Sequence, residues 1–220
     1  GGLVWSGNAR PIPQVRAGFI DFVDIPFTKG WVQIKGELAY GKFMDNDFLR
    51  DHYNYYNQYI TTDALYHHKS ISFRSNPDKP FVVTIGAELA AQFGGTKRYY
   101  EKGILIDSLT MKSPTRLKDF FKILFPSSGD GQTNEGDQAY YYGNHVGQWN
   151  LSAEYRFKDN SSVRGYFEWY YDDASGMGKF NGWDGLWGLE YKSGKKNWLS
   201  NVVLEYLDMT NQSGPLNWCP

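Results

Sequence analysis

Long runs of strict period-two alternation constrain this chain more than any other feature, because side chains that alternate across a strand cannot line one face of a helix. Along 31–43, Val32, Ile34, Gly36, Leu38 and Tyr40 point one way, and Gln33, Lys35, Glu37, Ala39 and Gly41 the other. Along 81–93, Phe81, Val83, Ile85, Ala87, Leu89, Ala91 and Phe93 oppose Thr84, Gly86, Glu88, Ala90 and Gln92. The same division separates Trp149, Leu151, Ala153, Tyr155 and Phe157 from Gln148, Asn150, Ser152, Glu154 and Arg156 in 148–157. In 163–171 it separates Val163, Gly165, Phe167, Trp169 and Tyr171 from Arg164, Tyr166, Glu168 and Tyr170. Weaker, mixed alternation marks 14–23, 65–74, 185–192 and 199–207, so the sequence predicts eight strands.

The connections alternate in length. Those at 24–30, 75–79, 158–162 and 193–198 are short and rich in turn residues, as in Ser75-Asn76-Pro77-Asp78-Lys79 and Lys158-Asp159-Asn160-Ser161. Those at 44–64, 94–146 and 173–184 are long. In an up-and-down meander alternate connections share a rim, so all tight turns fall at one end and all long loops at the other, the asymmetry of outer-membrane barrels. The clearest strands also reach the roughly 9 to 11 residues that cross a bilayer at a tilt, against about 5 to 6 in ordinary sheets. The fold class expected is therefore all-β: an antiparallel up-and-down transmembrane β-barrel, or a partial barrel of about eight strands, forming one domain over 1–220. A soluble β-sandwich, whose strands also alternate, is the competing architecture.

Composition narrows the classes further. Lys and Arg number 23 and Asp and Glu 24, a net charge of -1, which leaves no basic field for nucleic acid. The mean hydropathy is -0.57, and no run approaches the ~18 apolar residues of a membrane-spanning helix. Aromatics make up 18% of the chain, many near predicted strand ends, as interfacial girdles require. The single cysteine, Cys219, has no partner within these residues for a disulfide or a cysteine-based metal site. Only 94–146 has helical character: Ser113-Pro114 opens a segment, near 114–125, that carries Leu117, Phe120, Phe121 and Leu124 and stops at Pro126. A loop of this length is expected to be an external functional loop or a cap over the barrel mouth.

Four carboxylates, Glu37, Glu88, Glu154 and Glu168, share the polar face with Lys35, Arg156 and Arg164. A glycosidase needs two carboxylates at a set separation, but a polar lumen whose acids pair with these cations explains the pattern without catalysis. His67 and His68 are adjacent on a strand and point to opposite faces, so they form no common metal site. His52, His67, His68 and His145 lie in no nucleophile elbow or triad pattern. The expectation is no enzyme, no metal and no cofactor. Carbohydrate contact suits the long loops better: Tyr53, Tyr55 and Tyr56 in 51–57, and Tyr140, Tyr141 and Tyr142 in 138–145, interleave rings with amides and acids. The same tyrosines would also serve as an outer aromatic girdle.

Several runs resemble the capsule-assembly Wzi family. They are Trp5-Ser6-Gly7-Asn8-Ala9-Arg10-Pro11-Ile12-Pro13-Gln14, Phe22-Val23-Asp24-Ile25-Pro26-Phe27-Thr28-Lys29-Gly30-Trp31, Gln92-Phe93-Gly94-Gly95-Thr96, Asp184-Gly185-Leu186-Trp187-Gly188-Leu189-Glu190-Tyr191 and Asn211-Gln212-Ser213-Gly214-Pro215. The resemblance implies an outer-membrane β-barrel of a Gram-negative bacterium that assembles or retains capsular polysaccharide as a lectin-like, non-catalytic anchor. Its partners would be surface polysaccharide and outer-membrane lipid. It also implies more than eight strands in the intact barrel, so that this chain would be an internal portion. No sugar-binding residue carries over from the resemblance. A passive porin and an outer-membrane hydrolase are the alternative functions.

Overall fold

The computed structural model describes residues 10–44, 47–55, 59–125, 127, 142–171, 182–195 and 198–211. In chain order the elements are β1 (Gln14–Asp24), β2 (Val32–Lys42), α1 (Phe48–Tyr53), β3 (Tyr59–Thr62), β4 (Leu65–Ser75), β5 (Phe81–Phe93), β6 (Thr96–Glu101), β7 (Ile104–Leu105), β8 (Met111–Lys112), α2 (Leu117–Leu124), β9 (Asn144–Arg156), β10 (Ser162–Tyr171), β11 (Gly185–Lys192) and β12 (Asn201–Asp208). The eight predicted strands all form, and they make one eight-stranded antiparallel sheet in the order β1-β2-β4-β5-β9-β10-β11-β12. Each main strand therefore pairs with the next main strand along the chain. The tight turns β1–β2, β4–β5, β9–β10 and β11–β12 consequently share one rim, and the long connections share the other.

Register makes the two faces chemically distinct. Val23, Ile34, Phe73, Ile85, Leu151, Phe167, Trp187 and Tyr206 stand directly opposite one another in turn, an unbroken apolar row across all eight strands. One residue along, Gln33, Arg74, Thr84, Ser152, Tyr166, Gly188 and Glu205 form a row on the other face. On several strands the apolar face is the more exposed: on β9, Leu151, Ala153 and Tyr155 are open while Asn150, Ser152 and Glu154 are half-buried, although β10 buries Phe167, Trp169 and Tyr171 of the same face. The same inversion holds where Ile71 and Phe73 of β4 are open and Ser72 and Arg74 are sheltered. A soluble sandwich buries its apolar face, whereas β4, β9 and β11 leave much of theirs open.

The sheet does not close on itself among the described residues. No ladder joins β1 to β12, and both strands are exposed along almost their whole length. Of the expected transmembrane barrel, the described residues form the eight-stranded antiparallel meander as an open sheet. No described helix is long and apolar enough to cross a membrane.

Three local features depart from expectation. Helical character is not confined to 94–146, because α1 forms within the first long connection. That connection and the second one supply β3, β6, β7 and β8, which make a separate four-stranded sheet. β9 begins at Asn144, so 144–146 belong to a strand and not to the loop; Gly143, with φ of 86°, makes the left-handed entry that few other residues adopt.

α2 does not lie over the polar face. Ile123 and Tyr142 pack with Ala91 and Phe93, flanked by Tyr40, Leu65 and Phe120, all of whose strand members belong to the apolar face. Lys69, also on that face, donates from Nζ to the carbonyls of Ile123 (2.9 Å) and Leu124, satisfying the C-terminal end of the helix. At its start the buried Asp119 carboxylate accepts from the Arg116 backbone N–H (2.7 Å) and from the guanidinium Nε (2.9 Å) and Nη2 (3.0 Å). Leu117, Phe121 and Phe125, spaced by four residues on the outer side, remain exposed and carry the apolar surface over the helix.

Two glycines are explained by rings lying across them. A Cβ at Gly188 would sit 2.0 Å from the Tyr166 ring directly opposite, and one at Gly147 would sit 2.7 Å from the Tyr171 ring opposite it. Each pair places an aromatic plane flat on the neighbouring strand.

Ile123→Ala removes the best-buried side chain of the α2 contact. It is expected to weaken docking by about 2 to 4 kcal/mol. Limited proteolysis should then cut faster within 113–127, while the strand circular dichroism is unchanged.

Candidate functional site

Two groups of side chains could carry function: the rim of long connections and the polar face of the large sheet. At the rim, α1 presents Tyr53 (41% exposed), which meets Phe48 edge to face, and Tyr55 just beyond it is 63% exposed. Phe48 stacks on His52 with centroids 4.2 Å apart, and His52 Nδ1–H donates to the Phe48 carbonyl at 2.9 Å, which stiffens the short helix. Beside it Tyr59 meets Tyr99 at 4.9 Å, and the Lys97 ammonium lies 4.3 Å from the Tyr59 ring centroid. Tyr59 and Tyr99 escaped sequence reading because the short β3–β6 pair that brings them together has too few residues to show alternation.

Tyr142 is a correction. It is 1% exposed, its hydroxyl donates to the Pro114 carbonyl, and its ring packs edge-on to Phe93, so it belongs to the α2 core and presents no face to an external sugar. Tyr56, Tyr140 and Tyr141 lie outside the described residues.

On the polar face, Lys35, Glu37, Glu88, Glu154, Arg156, Arg164 and Glu168 all fall on one side by register, as the alternation predicts. Their pairing differs from expectation. Glu37 is held by Arg16 from β1 and by His68 Nδ1–H at 3.1 Å, not by Lys35. Lys35 makes no ion pair among the described residues. Arg164 lies 3.0 Å from Glu190, which also receives Lys192 at 3.3 Å and an Asn201 amide at 3.2 Å. The Glu154–Arg156 pair does form, at 3.2 Å, and Arg156 Nη1 also donates to the Pro77 carbonyl at 2.7 Å. Hydrogen bonds run on across the face through Arg74, Gln33 and Asp24, at 3.0 and 2.8 Å, and through Tyr166 and Glu205.

Arg16 and Glu190 were hidden because their strands alternate poorly. In β1 the register shifts between Phe19 and Val23, which puts two extra residues into one strand and scrambles the period. Near the middle of the sheet, Glu88 Oε1 and Tyr66 Oη are buried without a hydrogen-bond partner among the described residues.

His67 and His68 do point apart. His67 is fully buried on the apolar face, with Nδ1–H donating to the Ala39 carbonyl at 3.1 Å, while His68 joins Glu37 on the polar face. No group of three His, Cys, Asp or Glu able to hold a metal occurs among the described residues. No family model, curated protein or solved structure matches the chain.

The loop-side rim contains one ion pair whose titration can be followed. Lys42 Nζ lies 2.7 Å from Asp63, and this hydrogen-bonded ammonium, reinforced by Arg98, holds the Asp63 carboxyl below its ordinary value. Because the folded value is the lower one, the pair contributes stability above about pH 4 and loses it as pH falls through the folded value. In a carboxyl-carbon NMR titration Asp63 should titrate below a free aspartate, and Lys42→Gln should bring it back up.

Proposed function

We propose that this chain belongs to an outer-membrane β-barrel of a Gram-negative bacterium that binds exported surface polysaccharide through its rim of long connections, as an anchor without catalysis. The observation that supports this reading is the sheet's organisation: continuous cross-strand apolar rows, exposed on β4, β9 and β11 with polar residues sheltered behind them, and every tight turn on one rim. Water penalises such a surface, whereas hydrocarbon accepts it and demands that each backbone polar group be paired within the sheet. In that setting β1 and β12 need strand partners, from each other or from further strands.

The polysaccharide class comes from the resemblance of 22–31 and 184–191 to capsule-assembly proteins, and the exposed Tyr53 and Tyr55 supply the chemistry. Sugar rings pack C–H faces on such planes, and Asp51 and Asn54 beside them can take hydroxyl hydrogen bonds. Tyr53→Ala with Tyr55→Ala is expected to weaken binding on a glycan array or to purified capsule about five- to tenfold, roughly the worth of one aromatic contact. Unchanged binding would remove the rim from the proposal.

The sheltered polar face favours a second reading, a passive channel lined by Glu37, Glu88, Glu154, Arg156 and Arg164. Planar-bilayer conductance separates the two: an open water-lined interior passes steady ion current, and an anchor with a filled interior does not.

A further inference from the structure

We propose that the tight-turn rim holds a site for the headgroup of an anionic phospholipid, with Lys158 and Lys195 facing its phosphate and Tyr155 and Tyr191 walling its glycerol backbone. The proposal rests on the membrane reading above, and its test separates the failure of one from the failure of the other.

A cavity of about 680 Å³ opens at this rim, lined by Pro80, Tyr155, Arg156, Phe157, Lys158, Asp159, Ser161 and Tyr191, with Lys195 on the adjoining turn. It lies on the apolar side of the sheet: Phe81, Tyr155, Val163, Tyr191 and Val202 form one cross-strand row, so Val163 is flanked by two tyrosine rings. The ring edges of Tyr155 and Phe157 meet with centroids 5.0 Å apart and build one wall.

The cationic charge at this rim outnumbers the acid it meets, although Lys195 also acts on the Asp159 carboxylate. The β9–β10 turn contains one acid, Asp159, and its carboxylate is already used by the Ser161 N–H at 3.1 Å and the Ser161 hydroxyl at 2.6 Å. Those hydrogen bonds hold the Asp159 carboxyl below its ordinary value. Arg156 turns to the polar face, bound by Glu154 and Pro77. Neither Lys158 nor Lys195 makes an ion pair among the described residues. The two lysines share one corner because the turns touch: a Cβ at Gly194 would sit 1.9 Å from the Asp159 carbonyl oxygen.

The surroundings are those of a lipid interface. Phe27, Trp31, Phe81 and Phe157 are exposed at the same rim, Trp198 is 93% exposed, and Lys79 lies 5.4 Å from the Trp31 ring centroid. The four tight turns carry Lys29, Lys79, Lys158, Lys195 and Lys196 against Asp24, Asp78 and Asp159, whereas the long connections 44–64 and 173–184 hold an excess of acids. Cationic charge beside exposed aromatic rings attracts anionic headgroups, by on the order of fivefold for each lysine at the surface.

The test reconstitutes the full chain into phosphatidylcholine vesicles containing trace spin-labelled phosphatidylglycerol or spin-labelled phosphatidylcholine. Electron spin resonance then gives the relative association of the two labels with the protein surface. The expected result is a preference for phosphatidylglycerol of several-fold at low salt that shrinks in 1 M salt. Lys158→Gln with Lys195→Gln should bring it close to one, and Lys112→Gln on the opposite rim should leave it unchanged. Equal association of both labels, or a preference that the double variant retains, overturns the lipid site while leaving the membrane reading in place. A chain that does not float with the vesicles at all overturns both.

Discussion

Cross-strand register is the constraint on which the remaining structure depends. Side chains alternate with a period of two, so a slip of one residue at any ladder would send that strand's apolar set to the polar face. Eight strands nevertheless keep Val23, Ile34, Phe73, Ile85, Leu151, Phe167, Trp187 and Tyr206 in line. The tight turns help to hold this register. In the β9–β10 turn, Phe157 N–H donates to the Ser161 carbonyl at 2.8 Å and Asn160 takes φ of 63°, so the two strands enter in a defined phase. The β1 bulge shows the same constraint at work: two extra residues enter, and Val23 still arrives opposite Ile34.

The placement of α2 follows from that division of faces. At the loop-side ends of β4 and β9 the apolar face carries Lys69, His67 and His145, which would be costly facing hydrocarbon or packed without partners. α2 and Tyr142 give Lys69 and His145 partners, and β2 gives one to His67. Lys69 binds the helix C-terminal carbonyls, His67 donates to Ala39, and His145 Nε2–H donates to the Tyr142 carbonyl at 2.9 Å. The helix then presents Leu117, Phe121 and Phe125 outward, so the outer surface stays apolar although the charged Lys69 lies on the strand face beneath. The mixed alternation of 65–74 thus has a physical cause: its polar half lies under a helix.

Much of the fold was legible along the chain. β5 and β11 form at 81–93 and 185–192, and a helix lies within 114–125, because long alternation and turn residues are local signals; the helix starts at Leu117, capped by Arg116 and Asp119, and not at the expected Ser113-Pro114. The small second sheet and α1 were not legible, since four-residue strands and a six-residue helix are too short for periodicity to register. The polar face was found as a set, but its pairs were not. Lys35 stands closer in sequence to Glu37 than Arg16 does, yet Arg16 reaches Glu37 from the neighbouring strand. Tyr142 shows the same limit: a tyrosine in a polar, aromatic loop looks exposed until Pro114 and Phe93 are found around it.

Period, turn chemistry and strand length by themselves determined that this chain makes long antiparallel strands with one apolar side and all tight turns at one end, because these depend only on near neighbours along the backbone. Which side is exposed, which cation meets which carboxylate, and where α2 docks were decided only by tertiary structure. Those outcomes depend on contacts between residues as far apart as Tyr40 and Phe120, whose hydrogen bond at 3.0 Å spans 80 positions of sequence. No local pattern encodes such a contact; it exists only once the intervening strands have taken their places.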